Sequence, residues 1–385
     1  MIMRDIKRPK ALSDLKKALE RSPATALLGP RQCGKTTLAR ALNETLKGTF
    51  FDLENPRDVN RLENPMLTLE RENGYVIIDE VQKKPELFEI IRVLVDKPNR
   101  SCKFLLLGSA APRLMKSASE SLAGRISFVD LSGFDLSEAG NSNSEKLWER
   151  GGFPRSYLSG AAETSFAWRN DFIRTFLERD IPQLGITIPA ETLRRFWTMV
   201  AHYHGQLWNS AEFARSLGSA EATARNYLDI LSGAYMVRQL VPWHENLKKR
   251  QVKAPKIYIR DSGILHALLA LESLDDIFNH PKLGASWEGF VIEQIFSITD
   301  SRDIYFWATY AGAELDLLMF KHGKRYGFEI KYSDAPKTSK SMRSAISDLQ
   351  LEHLYIVYPG PETYPIDNKI TALSIHELCR ISQYI

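Results

Sequence analysis

At 385 residues the chain is too long for one hydrophobic core, which rarely grows beyond about 250–300 residues, so two or three domains are expected. Its 44% hydrophobic and 25% charged residues fit a soluble globular protein, no run reaches the roughly 18–20 apolar residues of a membrane span, and 51 Lys and Arg against 47 Asp and Glu give only +4, too little to imply nucleic acid by itself. Met1 to Arg8 lacks a signal-peptide core, and three scattered cysteines (Cys33, Cys102, Cys379) argue against a disulfide framework or a Cys-based zinc site, which makes the cytoplasm the expected location.

Ala11 to Leu19 has helical spacing through Leu12, Leu15 and Leu19 and reads as a covering helix. Thr25 to Leu28 is a short buried strand, and Gly29 to Thr36 then fits G-x-x-x-x-G-K-[ST], the spacing in which backbone N–H groups surround a pyrophosphate. Gly29, Pro30, Arg31, Gln32, Cys33, Gly34, Lys35, Thr36 and Thr37 form the expected cradle for ATP. The two glycines permit close backbone approach, Lys35 reaches the β- and γ-phosphates, and the Thr36 hydroxyl binds Mg²⁺. The amphipathic helix that follows (Leu38, Ala39, Leu42, Leu46) adds its N-terminal dipole. Thr49 to Leu53 reads as a second strand and Pro56 to Glu72 as helical. Tyr75 to Glu80 is an apolar strand ending in two acids: Asp79 would hold Mg²⁺ through water, and Glu80 would orient or deprotonate the attacking water. Pro85 opens a helix to about Asp96, and Lys103 to Gly108 is the next buried strand. Strands and helices alternating at this length imply an α/β fold with a parallel sheet covered on both faces. Ser109, at the end of that strand, is the candidate γ-phosphate sensor, the alternative being an ordinary strand-end serine. Arg125, before a strand at Ile126 to Leu131, is an arginine-finger candidate that would act in cis or across a homo-oligomer boundary, the alternative being a structural salt bridge.

Asn141 to Glu145 is a polar linker, after which the pattern turns helical: Phe166 to Arg179, then Glu191 to His204. His202 and His204 are two residues apart, so they do not share a helix face and suggest no metal site. Ser210 to Leu217, a Gly218-Ser219 turn and Ala220 to Leu231 have helix-turn-helix spacing. Strands at Val237 to Trp243 and Lys256 to Arg260 would complete a winged helix. Its hairpin carries Lys248, Lys249, Arg250, Lys253, Lys256 and Arg260, and its second helix Thr223, Arg225 and Asn226, which would suit DNA phosphates; a packing module is the alternative.

In the last segment a helix from Ser286 contains Glu288 and Glu293, followed by strands at Asp303 to Trp307, Ala313 to Phe320 and Arg325 to Lys331. Asp316 sits mid-strand among apolar residues; after a turn at His322-Gly323-Lys324, Glu329 and Lys331 lie on one face of the partner strand. Asp316, Glu329 and Lys331 are thus candidates for a catalytic site, the two acids as metal ligands and the lysine activating water. A salt-bridge cluster is the alternative. Glu288 and Glu293 are about 140° apart around a helix, so at most one faces this site, and Glu288 is the candidate third ligand.

The chain resembles the prokaryotic AAA-type ATPases that couple a P-loop core and winged helix to a C-terminal domain of uncharacterised function. Gly29 to Thr36, Tyr75 to Glu80, Gly151 to Pro154, Arg179-Asp180 and Glu314 to Lys331 carry the likeness. The C-terminal pattern also resembles the PD-(D/E)xK restriction-endonuclease-like fold, with Glu288, Asp316, Glu329 and Lys331 in the motif positions. The resemblance implies a AAA core over residues 1–140, a helical lid over 141–205, a winged helix over 206–272 and a nuclease-like α/β domain over 273–385. It implies ATP and Mg²⁺ as cofactors, with the nucleotide state controlling DNA contact or cleavage. The alternative is a regulatory switch whose C-terminal domain only binds a protein partner.

Overall fold

The computed structural model describes residues 6–98, 102–109, 120–183, 185–245, 251–299, 301 and 303–385. The chain divides into two compact units, Met1–Gly133 with Gly233–Tyr235, and Phe134–Ser232 with Met236–Ile385.

The first unit is built on five strands: β1 (Ala24–Gly29), β2 (Thr49–Asp52), β3 (Tyr75–Asp79), β4 (Lys103–Ser109) and β5 (Ile126–Asp130). They run parallel in the order β2-β3-β4-β1-β5. β1 lies between β4 and β5 and is buried along its whole length, which is why it reads as an unbroken apolar run rather than an alternating one. Helix Pro9–Arg21 buries Leu15, Ala18 and Leu19, and helix Lys35–Leu46 buries Leu38, Ala39 and Leu42, following the spacing in the sequence. The continuous helix expected over Pro56 to Glu72 is instead two, Pro56–Arg61 and Pro65–Glu70. Asn64 ends the first by capping the second, its side chain accepting from the Leu67 N–H, and Pro65 takes the first-turn position. Gly29 closes β1 against the backbone: a Cβ there would stand 2.0 Å from the Leu131 carbonyl oxygen.

The second unit begins with helices. Helix Ala162–Thr175 widens into a π-turn at Phe176–Asp180, where the sequence suggested a single helix to Arg179. Helix Ala190–His202 buries Phe196 and Trp197, and helices Ser210–Leu217 and Glu221–Gly233 follow, with Asn209 capping the first and Gly218 (φ 64) turning the chain between them. An antiparallel sheet of β6 (Gln206–Leu207), β7 (Val237–Leu240) and β8 (Lys256–Ile259) has the order β6-β8-β7. Helix Leu283–Thr299 leads to a mixed six-stranded sheet of β9 (Ile304–Ala308), β10 (Glu314–Lys321), β11 (Lys324–Ile330), β12 (His353–Tyr358), β13 (Tyr364–Asp367) and β14 (Ile370–Ser374), ordered β13-β14-β12-β11-β10-β9. The β10–β11 hairpin turns through His322 (φ 51) and Gly323 (φ 75), the doubly positive geometry that matches strand twist. Helix Lys340–Asp348 packs Met342 and Ala345 against Trp307, Leu315, Leu318 and Leu354. No helix among the described residues is long and apolar enough to cross a membrane.

Two histidines in this unit's core are neutral. The Glu149 carbonyl can only accept, so His266 carries its proton on Nδ1 (3.1 Å) and takes the Ser286 hydroxyl on Nε2 (2.7 Å); Trp148 donates to the same hydroxyl at 3.0 Å. His204 Nδ1 accepts the Ile259 N–H at 2.9 Å. Burial pushes both imidazoles from 6.5 down to about 3. Below pH 6.5 the unfolded chain therefore takes up protons that the fold refuses, and each histidine costs about 1.4 kcal/mol of stability per pH unit until the folded value is reached. Urea denaturation at pH 7 and pH 5.5 should show a loss on acidification, and His266→Gln should reduce that loss by about 1 kcal/mol. An identical pH dependence in the variant would mean that His266 is not neutral in the fold.

Candidate nucleotide site and a lysine-filled acidic cluster

The end of β1, the loop after it and the start of helix Lys35–Leu46 bring the glycine-rich residues together. Gln32 (φ 62) and Gly34 (φ 100) are left-handed, which turns the loop back over the helix N-terminus. Lys35 is buried and its ammonium donates to the carbonyls of Gly29 (2.9 Å) and Pro30 (2.7 Å), so the cation is held by neutral dipoles alone in these contacts. Cys33 is fully buried, its thiol on the Leu131 carbonyl at 3.4 Å, and Arg8 donates to the Cys33 carbonyl at 3.1 Å; both are scaffolding for the loop. Thr37 is exposed on the helix.

β3 delivers its two acids beside this loop. Asp79 is buried and accepts the Thr36 hydroxyl at 2.7 Å and the Glu80 N–H at 2.9 Å. Burial raises its pKa, opposed by the Thr36 hydrogen bond. Glu80 has left-handed backbone (φ 56), where the chain leaves the strand; its carboxylate accepts from the Gln82 amide and lies 3.6 Å from Arg31. A hydroxyl hydrogen-bonded to a buried carboxylate, next to a lysine that can exchange carbonyls for phosphate oxygens, fits Mg²⁺ and a nucleotide polyphosphate. Thr36 would hold the ion directly and Asp79 through water. Ser109 ends β4 opposite Gly29 in the ladder, and its side chain lies outside the described residues. Arg125 is not among these contacts: its guanidinium pairs with Asp96 at 2.5 Å and with the Ala123 carbonyl at 2.9 Å.

In the second unit the hairpin brings Asp316 and Glu329 together, but a residue from outside the hairpin stands among the acids. Lys256 of β8, only 6% exposed, places its ammonium 3.3 Å from Glu288, 3.9 Å from Asp316 and in direct contact with Glu314. Burial alone would lower its pKa; the Glu288, Asp316 and Glu314 carboxylates outweigh that and hold it above the usual lysine range. Tyr258, two residues along the same strand, donates to Glu288 at 2.5 Å. Asp316 accepts the Ile330 N–H at 2.8 Å, and burial together with repulsion from Glu288 and Glu329 raises its pKa well above the carboxylate range. Glu329 pairs with Lys331 at 2.7 Å through one oxygen, while its other oxygen is buried without a hydrogen-bond partner. The four motif residues are therefore neighbours, yet the cation among the acids is an ammonium. Among the described residues no group of three or more His, Cys, Asp or Glu side chains is arranged to hold a metal ion.

Helix Leu283–Thr299 separates its two glutamates as its period requires. Glu288 faces this cluster, and Glu293 lies half-buried between Arg238 and Arg260, the latter at 3.1 Å. The two guanidiniums outweigh burial and lower the Glu293 pKa. This corrects part of the cationic surface expected of the hairpin: Lys256 is buried among carboxylates, and Arg260 is half-buried against Glu293. Lys248, Lys249 and Arg250 lie outside the described residues, and Lys253 is exposed. Arg225 is exposed but engaged by Glu221 (2.8 Å) and Ser210 (3.2 Å), with Asn226 exposed beside it. Sequence reasoning placed Lys256 on a DNA-facing hairpin and gave Tyr258 no role; the signal for the cluster was a lysine alternating with apolar residues in a strand that is otherwise buried.

A parallel five-stranded sheet carrying this loop and these acids defines a P-loop α/β ATPase unit, and residues 21–140 match the family described as AAA domain. Residues 141–275 and 283–378 match two families described as domains of unknown function, DUF8612 and DUF4143. Two curated proteins, the uncharacterized proteins Mb2031c of Mycobacterium bovis and Rv2008c of Mycobacterium tuberculosis, are each 51% identical over 373 residues, covering 97% of this chain and 85% of theirs. The chain belongs to the same family as these mycobacterial proteins. Among solved structures it is similar to the Walker-type ATPase PABY2304 of Pyrococcus abyssi (TM-score 0.46, 16% identity, 69% of this chain and 96% of that one) and to the Bacillus subtilis DNA clamp loader delta protein YqeN (TM-score 0.27, 11% identity, 58% and 88%).

If Lys256 is the counter-ion of the cluster, Lys256→Met leaves the buried Asp316 and the half-buried Glu288 without it and should cost about 3–5 kcal/mol in urea denaturation at pH 7.5. Adding Asp316→Asn should recover part of the loss. A cost under about 1 kcal/mol would show that the acids are compensated in another way.

Proposed function

We propose that this protein is an ATP-driven regulatory switch: the AAA unit binds and hydrolyses ATP with Mg²⁺, and the nucleotide state controls how the second unit engages a protein partner. The observation that carries the enzymatic half is the Lys35–Thr36–Asp79–Glu80 constellation, in which a cation and a hydroxyl from the start of helix Lys35–Leu46 and two carboxylates from the end of β3 converge. Thr36 and Asp79 would hold Mg²⁺, which would supply charge neutralisation to the phosphoryl group under attack. Lys35 exchanges its loop carbonyls for phosphate oxygens, the loop N–H groups fix the polyphosphate, and Glu80 orients the attacking water and accepts its proton. Arg125 as a finger and Ser109 as a sensor remain part of this proposal; the first would have to give up Asp96.

Two observations favour a binding role for the second unit over cleavage of DNA. Lys256 stands among Glu288, Glu314 and Asp316, where a divalent ion would be needed, and Arg225 is engaged by its own helix. A second reading, in which a winged helix contacts DNA and the nuclease-like domain cuts it, is favoured by the buried Glu329 oxygen that has no partner. It requires Lys256 to withdraw.

Lys35→Ala should abolish ATP binding measured by titration calorimetry, whereas Glu80→Gln should bind ATP and hydrolyse it on the order of 100-fold more slowly in a phosphate-release assay. Turnover like wild type in both variants would overturn the ATPase assignment. Incubation with single- and double-stranded DNA, Mn²⁺ and ATP should give no cleavage; cleavage that is lost in Asp316→Ala would establish the second reading.

A further inference from the structure

Arg31 belongs to the loop expected to cradle ATP, and its position gives it a more particular role. It occupies the turn of the glycine-rich loop, next to the left-handed Gln32, and faces Glu80, the residue that must act on water. The two side chains are 14% and 18% exposed and their charged atoms stand 3.6 Å apart. That is longer than the 2.7–2.9 Å or so of a charge-assisted hydrogen bond, so the pair is attractive but loose. Gln82 donates to the same Glu80 oxygen as Arg31 approaches, and the other amide atom of Gln82, its Oε1, is buried without a hydrogen-bond partner. Glu80 is thus held from two sides, by one cation and one amide.

We propose that Arg31 is a nucleotide-sensing positioning residue: it restrains Glu80 while the loop is empty and is taken over by the terminal phosphate of a nucleoside triphosphate, releasing the carboxylate to orient water. This rests on the ATPase reading above. The physical reason for the exchange is the strength of the competitor. A terminal phosphate presents several oxygens and more than one negative charge to a guanidinium whose planar fork can take two of them at once, whereas Glu80 offers one oxygen at 3.6 Å. A diphosphate ends one group short and leaves Arg31 on Glu80. Gln82 stays on the carboxylate after Arg31 departs and keeps it from swinging into solvent. The device makes the hydrolytic carboxylate available only when there is a γ-phosphate to attack.

The test is equilibrium binding of a non-hydrolysable triphosphate analogue and of the diphosphate, each with Mg²⁺, to the full-length chain. Arg31→Ala should weaken triphosphate binding about tenfold and leave diphosphate binding within about twofold, while Arg31→Lys, which keeps the charge, should retain part of the preference. Glu80→Gln removes the competing charge and should tighten triphosphate binding by about threefold or more, a gain that must vanish in the Arg31→Ala background. An unchanged triphosphate-to-diphosphate ratio in Arg31→Ala, or an equal gain from Glu80→Gln with and without Arg31, overturns the proposal while leaving the ATPase reading intact. Failure of the wild-type protein to bind either nucleotide overturns both.

Discussion

The ammonium of Lys256 is the charge around which the second unit is assembled. It comes from the three-stranded sheet, and its partners come from helix Leu283–Thr299 (Glu288) and from the six-stranded sheet (Glu314 and Asp316). Ions removed from water are tolerated only when paired, so the acids of two elements and the lysine of a third must arrive together or not at all. The same helix is tied to the same small sheet a second time, with the polarity reversed, by Glu293 between Arg238 of β7 and Arg260 just beyond β8. Two opposite charge contacts, five residues apart on one helix, specify its rotation as well as its position. A rotation that satisfied one of them would bury the other unpaired.

The nucleotide site follows the opposite rule. Its charges are under-compensated: Lys35 is answered by two carbonyl dipoles, Asp79 by a hydroxyl and a backbone N–H, and Glu80 by a loose arginine and an amide. A site built to exchange ligands keeps its charged groups in replaceable contacts, and a cluster built to hold a fold matches them with opposite charges. By that criterion the contacts of the loop are replaceable ones and those of the acidic cluster are matched ones.

How much of this is legible in the sequence depends on the distance along the chain over which each feature is decided. The strand, the glycine-rich loop, the helix after it and the acids at the end of β3 are consequences of local geometry: glycine freedom, a buried apolar run and a proline or asparagine at a helix start. The β10–β11 hairpin is local too, since a two-residue turn through His322 and Gly323 sets the register that brings Asp316 to Glu329. Local rules failed at Asn64-Pro65, which starts a new helix inside a stretch with continuous helical character, and at Phe176–Asp180, where the helix widens into a π-turn.

Helical period alone established that Glu288 and Glu293 could not both face one site. Which partner each would find, and that Lys256 and Arg260 would turn inward instead of lining a cationic hairpin, was decided by tertiary structure. Lys256 is 32 residues from Glu288, and nothing in the identity of a lysine says whether its charge will meet a phosphate in solvent or a carboxylate in the interior. That choice depends on which surfaces the strands and helices bury against one another. The sequence therefore determined the chemistry of the nucleotide loop, whose geometry is written in consecutive residues. Only the packing of distant elements decided the state of the acidic cluster, because the energy of a buried charge is set by neighbours that the chain brings together after it has folded.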